Sequence, residues 1–510
     1  MIEGRSLWEL VDRRRAATPD DLLAVDEDGR VLSFADLHAR AEQAAAGLLD
    51  LDVKEGTVVT WQLPTWLESM VLVVALARLG AVQNPVLPIY RGREVGFVTR
   101  QAGTSLVIVP SVWRGFDFEA MARGLGPAVL VADRSLPAGD PATLPPPPVA
   151  PDDAGDAPVR WLFYTSGTTA DPKGARHTDR TIMAAARGMA ERLAVTPGDR
   201  SAMVFPFTHI GGITWLFSSL LVGSSNILVE AFDPVTTTAV LAREGVTMAG
   251  AGTPFHLAYL NAQRADPATP LFPDVRVFPG GGAPKPPLLH LDLKAELGGV
   301  GIVSGYGLTE APILTMASVH DSDAALADTE GRPMPGVELR VVAPDGTVAG
   351  PGGSGEIVAK APQLMKGYLD TALDTDAFDA DGYFRTGDIG HQDPAGNVVV
   401  TGRLKDIIIR KGENISAKEV EDLLYTHPKV ADVAVIGLPD PDSGERACAV
   451  VASRDAGDAL DFGEMVAFLK EKGLMNQKIP EQLEAVESVP RNPSGKILKT
   501  ELRKRYADAG

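Results

Sequence analysis

Short apolar runs alternate with amphipathic stretches over most of the chain, and this alternation limits its fold more than any other feature. Residues 159–164, 202–205, 226–229, 246–249, 275–278 and 301–303 each read as a buried strand. Helical stretches such as 181–193 and 255–263 separate most of them. Parallel neighbours need a long crossover, so strand–helix alternation points to parallel α/β sheet. The same rhythm starts earlier. Ser33 and Asp36 form a capping-box start for a helix with Phe34, Leu37, Ala41, Ala44 and Leu48 on one side. Residues 57–61 are a β-branched run, Thr65 and Glu68 predict a second capped start for a helix through Leu79, and strand-like runs follow at 105–109 and 128–132.

Proline punctuates this pattern at 145–148 and 151, where neither helix nor sheet can continue, so 145–151 is expected to be an exposed linker. From about residue 335 the signal changes to short strands with glycine turns (337–342, Asp345-Gly346, 356–359), which predicts a small β-barrel over about 335–400. Beyond Gly402 lies an α+β unit: Ser416 and Glu419 cap a helix, 433–436 and 447–452 read as strands, and 462–470 as a helix. The fold class is therefore α/β: a large N-terminal domain of two α/β lobes plus the barrel, followed by a small α+β domain.

Charge narrows the function. The 510 residues hold 48 Lys+Arg against 67 Asp+Glu, a net −19, which argues against a nucleic-acid partner but leaves room for a small basic pocket. One cysteine, Cys448, excludes intrachain disulfides and any multi-cysteine metal site. The most apolar run, 70–82, is interrupted by Arg78 and falls short of the about 20 residues a bilayer span needs. Residues 1–5 lack the apolar core of a secretory signal, and a cytoplasmic location is expected.

Three loops carry the chemistry. Tyr164-Thr165-Ser166-Gly167-Thr168-Thr169-Ala170-Asp171-Pro172-Lys173-Gly174 follows a strand and gathers hydroxyls, glycines and a lysine, the groups a polyphosphate needs. Pro172 stands where a Walker A loop requires glycine. Gly280-Gly281-Gly282-Ala283-Pro284 and Ser304-Gly305-Tyr306-Gly307-Leu308-Thr309-Glu310 follow two further strands. Ligands of open α/β sheets bind beyond the carboxyl ends of strands, so the three loops are expected to meet at one crevice. The first glycine loop lets a flat base approach the backbone, Tyr306 offers a stacking face, and Glu310 a hard oxygen for Mg²⁺ on phosphates.

With these loops in view, the chain resembles the adenylate-forming superfamily of acyl-CoA synthetases, carrier-protein adenylation domains and firefly luciferase. The resemblance spans nearly the whole chain. It rests on residues 165–174, 305–310, Tyr383-Phe384-Arg385-Thr386-Gly387-Asp388, Gly402-Arg403-Leu404-Lys405-Asp406 and Asn492-Pro493-Ser494-Gly495-Lys496, in the family's order. It implies that Thr165, Ser166, Gly167, Thr168, Thr169 and Lys173 serve the phosphates and that Gly281, Gly282, Ala283, Ser304, Tyr306 and Gly307 serve the base. It further implies that Asp388 holds the ribose hydroxyls, Arg403 contacts ribose or phosphate, Thr309 the α-phosphate, and Glu310 the metal. Lys496 would supply charge to the transition state. Lys405 matches the family's hinge, which divides the chain into 1–404 and a mobile 405–510, and Gly412 would line a pantetheine tunnel.

The implied reaction is two-step: a carboxylate and ATP give acyl-AMP and pyrophosphate, then the CoA thiol displaces AMP. His209, in Phe205-Pro206-Phe207-Thr208-His209-Ile210-Gly211-Gly212, matches the family's acyl-pocket motif, where a ring gates the carboxylate. Thr208-His209 stands where amino-acid-activating relatives place an acidic residue. Trp215, Ala251, Gly252, Ile313 and Leu314 are candidates to line an apolar pocket, and Ser304 stands where many relatives carry a longer polar residue. Trp61-Gln62-Leu63-Pro64 and Gln477-Lys478-Ile479-Pro480-Glu481 look closest to fatty-acid and cyclohexanecarboxylate–CoA ligases. The expected protein is thus an acid–CoA ligase for a hydrophobic acid, with ATP, Mg²⁺ and CoA, working as a monomer or homodimer. The alternatives are an enzyme that loads a carrier protein and a non-catalytic nucleotide sensor.

Overall fold

The computed structural model describes residues 1–507 apart from 166–171, 284, 411–412, 441–442 and 493–494. Two α/β sheets form the bulk of the molecule. The first has six strands in the order Lys173–His177, Trp161–Thr165, Val82–Pro85, Val58–Trp61, Leu106–Val109, Ala128–Val131. All neighbours are parallel except the first pair, which is a hairpin. The second sheet runs Arg200–Met203, Ser225–Leu228, Leu22–Asp26, Val31–Ser33, so a strand from the beginning of the chain completes a sheet built mostly from residues beyond 200.

Local chemistry accounts for the element starts. Ser33 and Asp36 form the expected reciprocal capping box on Phe34–Leu49. The second expected cap is absent: Leu67–Leu79 has Trp66 as N-cap and no side-chain cap. Thr65 is instead drawn into tertiary contacts, donating to the Phe205 carbonyl and accepting from Phe207 N–H, while buried Glu68 pairs with Arg30 and Arg40. Leu67–Leu79 is nearly all buried because sheets and helices enclose it on every side. At about 1.5 Å per residue it is about 20 Å long, well short of a bilayer core. No helix among the described residues is long and apolar enough to cross a membrane.

Between the second and third sheets the expected strand 246–249 makes only isolated parallel bridges, Met248 to Ser201 and to Val277. The third sheet is Phe278–Gly281, Ile302–Leu308, Ala311–Met316, Arg332–Pro333. It absorbs two segments expected to be loops, since Gly280-Gly281 and 304–308 pair as strand. The segment expected as a small barrel is a four-stranded antiparallel sheet, Glu338–Val342, Gly355–Lys360, Phe384–Gln392 and Val398–Arg403, each strand pairing with the next in sequence.

A single-turn 3₁₀ segment, Leu404–Asp406, leads into a last, five-stranded sheet of Glu413–Ser416, Ile407–Arg410, Gly444–Ser453, Val430–Asp440 and Gln482–Val486. Its period-two apolar pattern covers both faces. Val433, Val435, Ala447 and Ala449 pack under helices Ala417–Leu424 and Phe462–Glu471. Ala434, Ile436, Cys448 and Val450 pack under helix Lys499–Tyr506 through Leu502 and Tyr506.

Candidate active site

A crevice of about 1400 Å³ is walled on one side by the third and fourth sheets and on the other by the last unit. Its lining includes Gly282, Ala283, Tyr306, Gly307, Asp388, Arg403, Lys405 and Lys496. Asp388 and Arg403 face each other across strands Phe384–Gln392 and Val398–Arg403. That register places the Arg403 Nε 2.8 Å from Asp388 Oδ1. The Tyr306 hydroxyl donates to the other carboxylate oxygen at 2.8 Å. Burial and the adjacent carboxylate push this hydroxyl well above its usual range, so it remains a donor. Asp388 is only 2% exposed, and its spare lone pairs can still accept from vicinal hydroxyls.

The floor is glycine because backbones meet there. A Cβ on Gly307 would lie 2.3 Å from the Ile313 amide nitrogen, and one on Gly281 would lie 3.0 Å from the Gly305 carbonyl. Ile313 itself has φ +52°, a strained conformation for a β-branched residue, on the strand that returns from this floor.

Lys496 reaches the crevice from a tight turn. Asn492 N–H donates to the Lys496 carbonyl (2.9 Å), its side-chain oxygen accepts from Lys496 N–H (2.9 Å), and Gly495 N–H donates to the Asn492 carbonyl (2.8 Å). Gly495 has φ +86°, and a Cβ there would lie 2.7 Å from Pro254 Cγ, so the turn seats against the start of helix Thr253–Ala265. The Lys496 side chain is wet, yet protein surrounds it on most sides. That enclosure, with Arg403 and Lys405 close by, pulls its ammonium down to about 8. Enclosure and Arg403 lower Lys405 as well.

Of the residues expected to serve the phosphates, Thr165 and Lys173 are described, and neither lines the crevice. Thr165 and Lys173 are register partners at the end of the antiparallel pair Trp161–Thr165 and Lys173–His177. The Lys173 ammonium lies 5.4 Å from the centroid of the Tyr368 ring, and the Tyr368 hydroxyl donates to Glu310 Oε1 at 2.8 Å. Glu310 is 7% exposed and keeps acceptor capacity on its other oxygen. Behind it, His177 Nε2 lies 2.9 Å from the Thr309 carbonyl. A carbonyl only accepts, so Nε2 carries the proton. Burial holds this ring neutral, its pKa pushed down to about 4.

His209 is the N-cap of the buried helix Ile210–Val222. Its Nδ1 accepts from Gly211 N–H at 3.1 Å, which leaves the proton on Nε2. Burial pulls its pKa to about 4, so it is neutral at physiological pH. The Phe205 ring stands edge-on to it, with centroids 6.4 Å apart. Trp215 is buried along this helix, whereas Leu314 sits in the core with Tyr306, Ala311 and Ile357.

The structure therefore gathers Gly282, Ala283, Tyr306, Gly307, Asp388, Arg403, Lys405 and Lys496 around one space, with Thr309 and Glu310 at the turn that ends the Tyr306 strand. Ser304 is buried against Gly280 rather than lining the crevice. Ser166, Gly167, Thr168, Thr169 and Gly412 lie outside the described residues. Two cations of the small unit, Arg410 and Arg446, are engaged internally, Arg410 with the Gln477 carbonyl and Glu481, Arg446 with Gln482 and the Pro439 carbonyl. Tyr368 and His177 went unrecognised in the sequence. Only the Thr178–Thr181 capping box beside His177 marked that neighbourhood.

Comparison with known proteins identifies the family. The sequence model of the AMP-binding enzyme family matches residues 11–369, and that of the AMP-binding enzyme C-terminal domain matches 419–496. The medium-chain fatty-acid–CoA ligase of Escherichia coli (strain K12) is 31% identical over 516 residues, 98% of this chain and 90% of that protein. The salicyl-AMP ligase / salicyl-S-ArCP synthetase of Mycobacterium tuberculosis (strain ATCC 25618 / H37Rv) is 31% identical over 520 residues, 97% of this chain and 90% of its own length. The crystal structure of ATP-bound MatB from Rhodopseudomonas palustris superposes with a TM-score of 0.87 at 29% identity, covering 98% of this chain and 99% of that one. The chain belongs to the adenylate-forming AMP-binding enzyme family, which includes acid–CoA ligases and enzymes that load carrier proteins.

Proposed function

We propose that the protein is an ATP-dependent acid–CoA ligase for a hydrophobic carboxylic acid. The observation that carries this reading is the meeting of Arg403, Lys405 and Lys496 with the Asp388–Tyr306 pair in one crevice. Cations there suit a triphosphate, and a buried carboxylate beside a glycine floor suits a nucleoside. In the first step a substrate carboxylate oxygen bonds to the α-phosphorus while the bond to the bridging oxygen breaks, releasing pyrophosphate. The Lys496 ammonium faces the charge gathering on the α-phosphate. In the second step the CoA thiol, losing its proton, bonds to the acyl carbon as the acyl–oxygen bond breaks and AMP leaves. Glu310 fits Mg²⁺, an ion commonly held by one or two carboxylates plus phosphate oxygens, and the ion would neutralise phosphate charge. The small unit, residues 405–510, would pivot at Lys405 between the two steps.

The acid class follows from the surroundings of His209. The ring is neutral, Phe205 stands edge-on to it, Trp215 is buried along the helix that His209 caps, and no carboxylate stands at Thr208-His209 to hold an ammonium. Burying an unpaired ammonium there costs at least several kcal/mol. Matched pairs of amino acids and their des-amino analogues, assayed for pyrophosphate release, are expected to favour the des-amino acid by well over about tenfold. Equal activation would overturn the apolar reading. Carrier loading is the second reading, supported by the likeness to the salicyl-AMP ligase. AMP formation that depends on free CoA, with no carrier present, separates the two.

Lys496 also predicts a pH effect. Its pKa is lowered to about 8, so the cation is lost as pH rises through that value. The kcat/KM for adenylation should therefore fall on the alkaline side of about pH 8. Lys496→Arg, charged throughout this range, should lack that limb in whatever activity it retains. An alkaline limb unchanged in Lys496→Arg would assign the titration to another group.

A further inference from the structure

Outside the crevice, the last unit holds a half-buried ionic cluster whose geometry leads back to the lysine turn. Arg491 immediately precedes that turn, and its side chain is 13% exposed. Its Nη2 donates to Asp432 Oδ1 at 2.8 Å, and its Nε to Oδ2 at 3.2 Å. The Tyr425 hydroxyl donates to the same Asp432. The remaining arm, Nη1, donates to the Gly495 carbonyl at 2.7 Å. The guanidinium thus spans two objects: strand Val430–Asp440, which carries Asp432, and the peptide that joins Gly495 to Lys496. Arg491 is not among the residues lining the crevice.

Among the described residues, the turn's own hydrogen bonds do not fix its direction relative to the sheet. Asn492 closes the turn on itself through Lys496 N–H and carbonyl, but those bonds would persist if the whole turn swung. The Arg491 fork resists that swing, because one planar group with fixed donor directions grips a half-buried carboxylate and the turn carbonyl together. A lysine in its place offers one point charge and cannot hold both in the same geometry.

We propose that Arg491, held by Asp432, is a positioning residue for adenylation: it ties the turn bearing Lys496 to the central sheet of the small unit, so that the ammonium enters the crevice at a fixed place. This rests on the ligase reading of the site. A misplacement of about 1 Å in a reacting group costs up to about 10²-fold in rate. Arg491→Gln and the milder Arg491→Lys are expected to lower kcat for acid-dependent pyrophosphate release by about 10–100-fold, with KM for ATP and acid changing less than about threefold. Thioester formation from synthetic acyl-AMP and CoA should stay within about threefold of the parent, because the turn is not needed there.

The decisive measurement is the double variant. If Arg491 acts through Lys496, then Arg491→Gln added to Lys496→Ala should cost less than about threefold more in adenylation. Equal loss in both half-reactions, unchanged adenylation, or full additivity with Lys496→Ala would each overturn the proposal, and thermal midpoints of all variants identify simple unfolding. Normal adenylation in Lys496→Ala alone would sink the reading of the site, and this proposal with it. An impaired Lys496→Ala beside an unimpaired Arg491→Gln would sink the proposal alone.

Discussion

Lys496→Ala is expected to slow adenylation by roughly 10²–10³ while leaving thioester formation from supplied acyl-AMP nearly unchanged. The size follows from one missing charge-assisted interaction with the transition state, about 3–4 kcal/mol in a partly enclosed site. The selectivity follows from where Lys496 sits. Its turn belongs to the small unit and rests on the large one where Gly495 meets Pro254, a seat that would open if the small unit pivots as proposed. Pyrophosphate release with acid and ATP, measured beside CoA thioester formation from acyl-AMP, checks both halves. A mutant with normal adenylation would group Lys496 with the exposed Lys504 and Arg505 of the helix that follows it, outside the chemistry.

Lys405→Pro is expected to show the opposite pattern. The 3₁₀ turn Leu404–Asp406 is all that separates the last strand of the fourth sheet from the first strand of the small unit. Proline at the second residue of this 3₁₀ turn removes none of the turn's own hydrogen bonds, because the first N–H groups of a helical turn have no partner within it, and it disfavours only the helical conformation of Leu404. Rotation of the small unit requires the backbone of this turn to change, and a φ fixed near −65° opposes that change. Thioester formation should fall roughly 10²–10³-fold and adenylation less than about tenfold. Equal losses in the same two assays would point to misfolding or to a rigid junction.

What the sequence disclosed followed the range of the forces involved. Ser33 and Asp36 are three positions apart, so a local rule finds their cap. Thr65 and Glu68 have the same spacing, but Phe205, Phe207, Arg30 and Arg40 claim their side chains, and the cap does not form. Gly305 and Gly307 made a strand look like a loop. Glycine there answers to the close approach of Ile313 across the hairpin, which no local pattern encodes. Asp388, Arg403, Lys405 and Lys496 were visible through the family resemblance of the motifs that hold them; their own sequence neighbourhoods mark them only as surface charges. Tyr368, 58 positions from Glu310, and Asp432, 59 positions from Arg491, were not visible, since each matters only through a partner that folding brings near.

The strand Leu22–Asp26 has a bearing on how the chain is made. Its hairpin partner Val31–Ser33 covers one edge at once, but the other edge pairs with Ser225–Leu228, about 200 residues later. At a synthesis rate of about 5–20 residues per second, that edge waits about 10–40 s for its neighbour. During that time Leu23, Ala24 and Val25, all buried in the finished protein, belong to an unfinished sheet with an open row of backbone donors and acceptors. The first sheet, whose strands begin at Val58, draws on chain that has emerged by Lys173–His177. On the ribosome, therefore, the strand Leu22–Asp26 is made before the first sheet but secured after it, and the nascent protein's exposure to aggregation is concentrated at that strand's waiting edge.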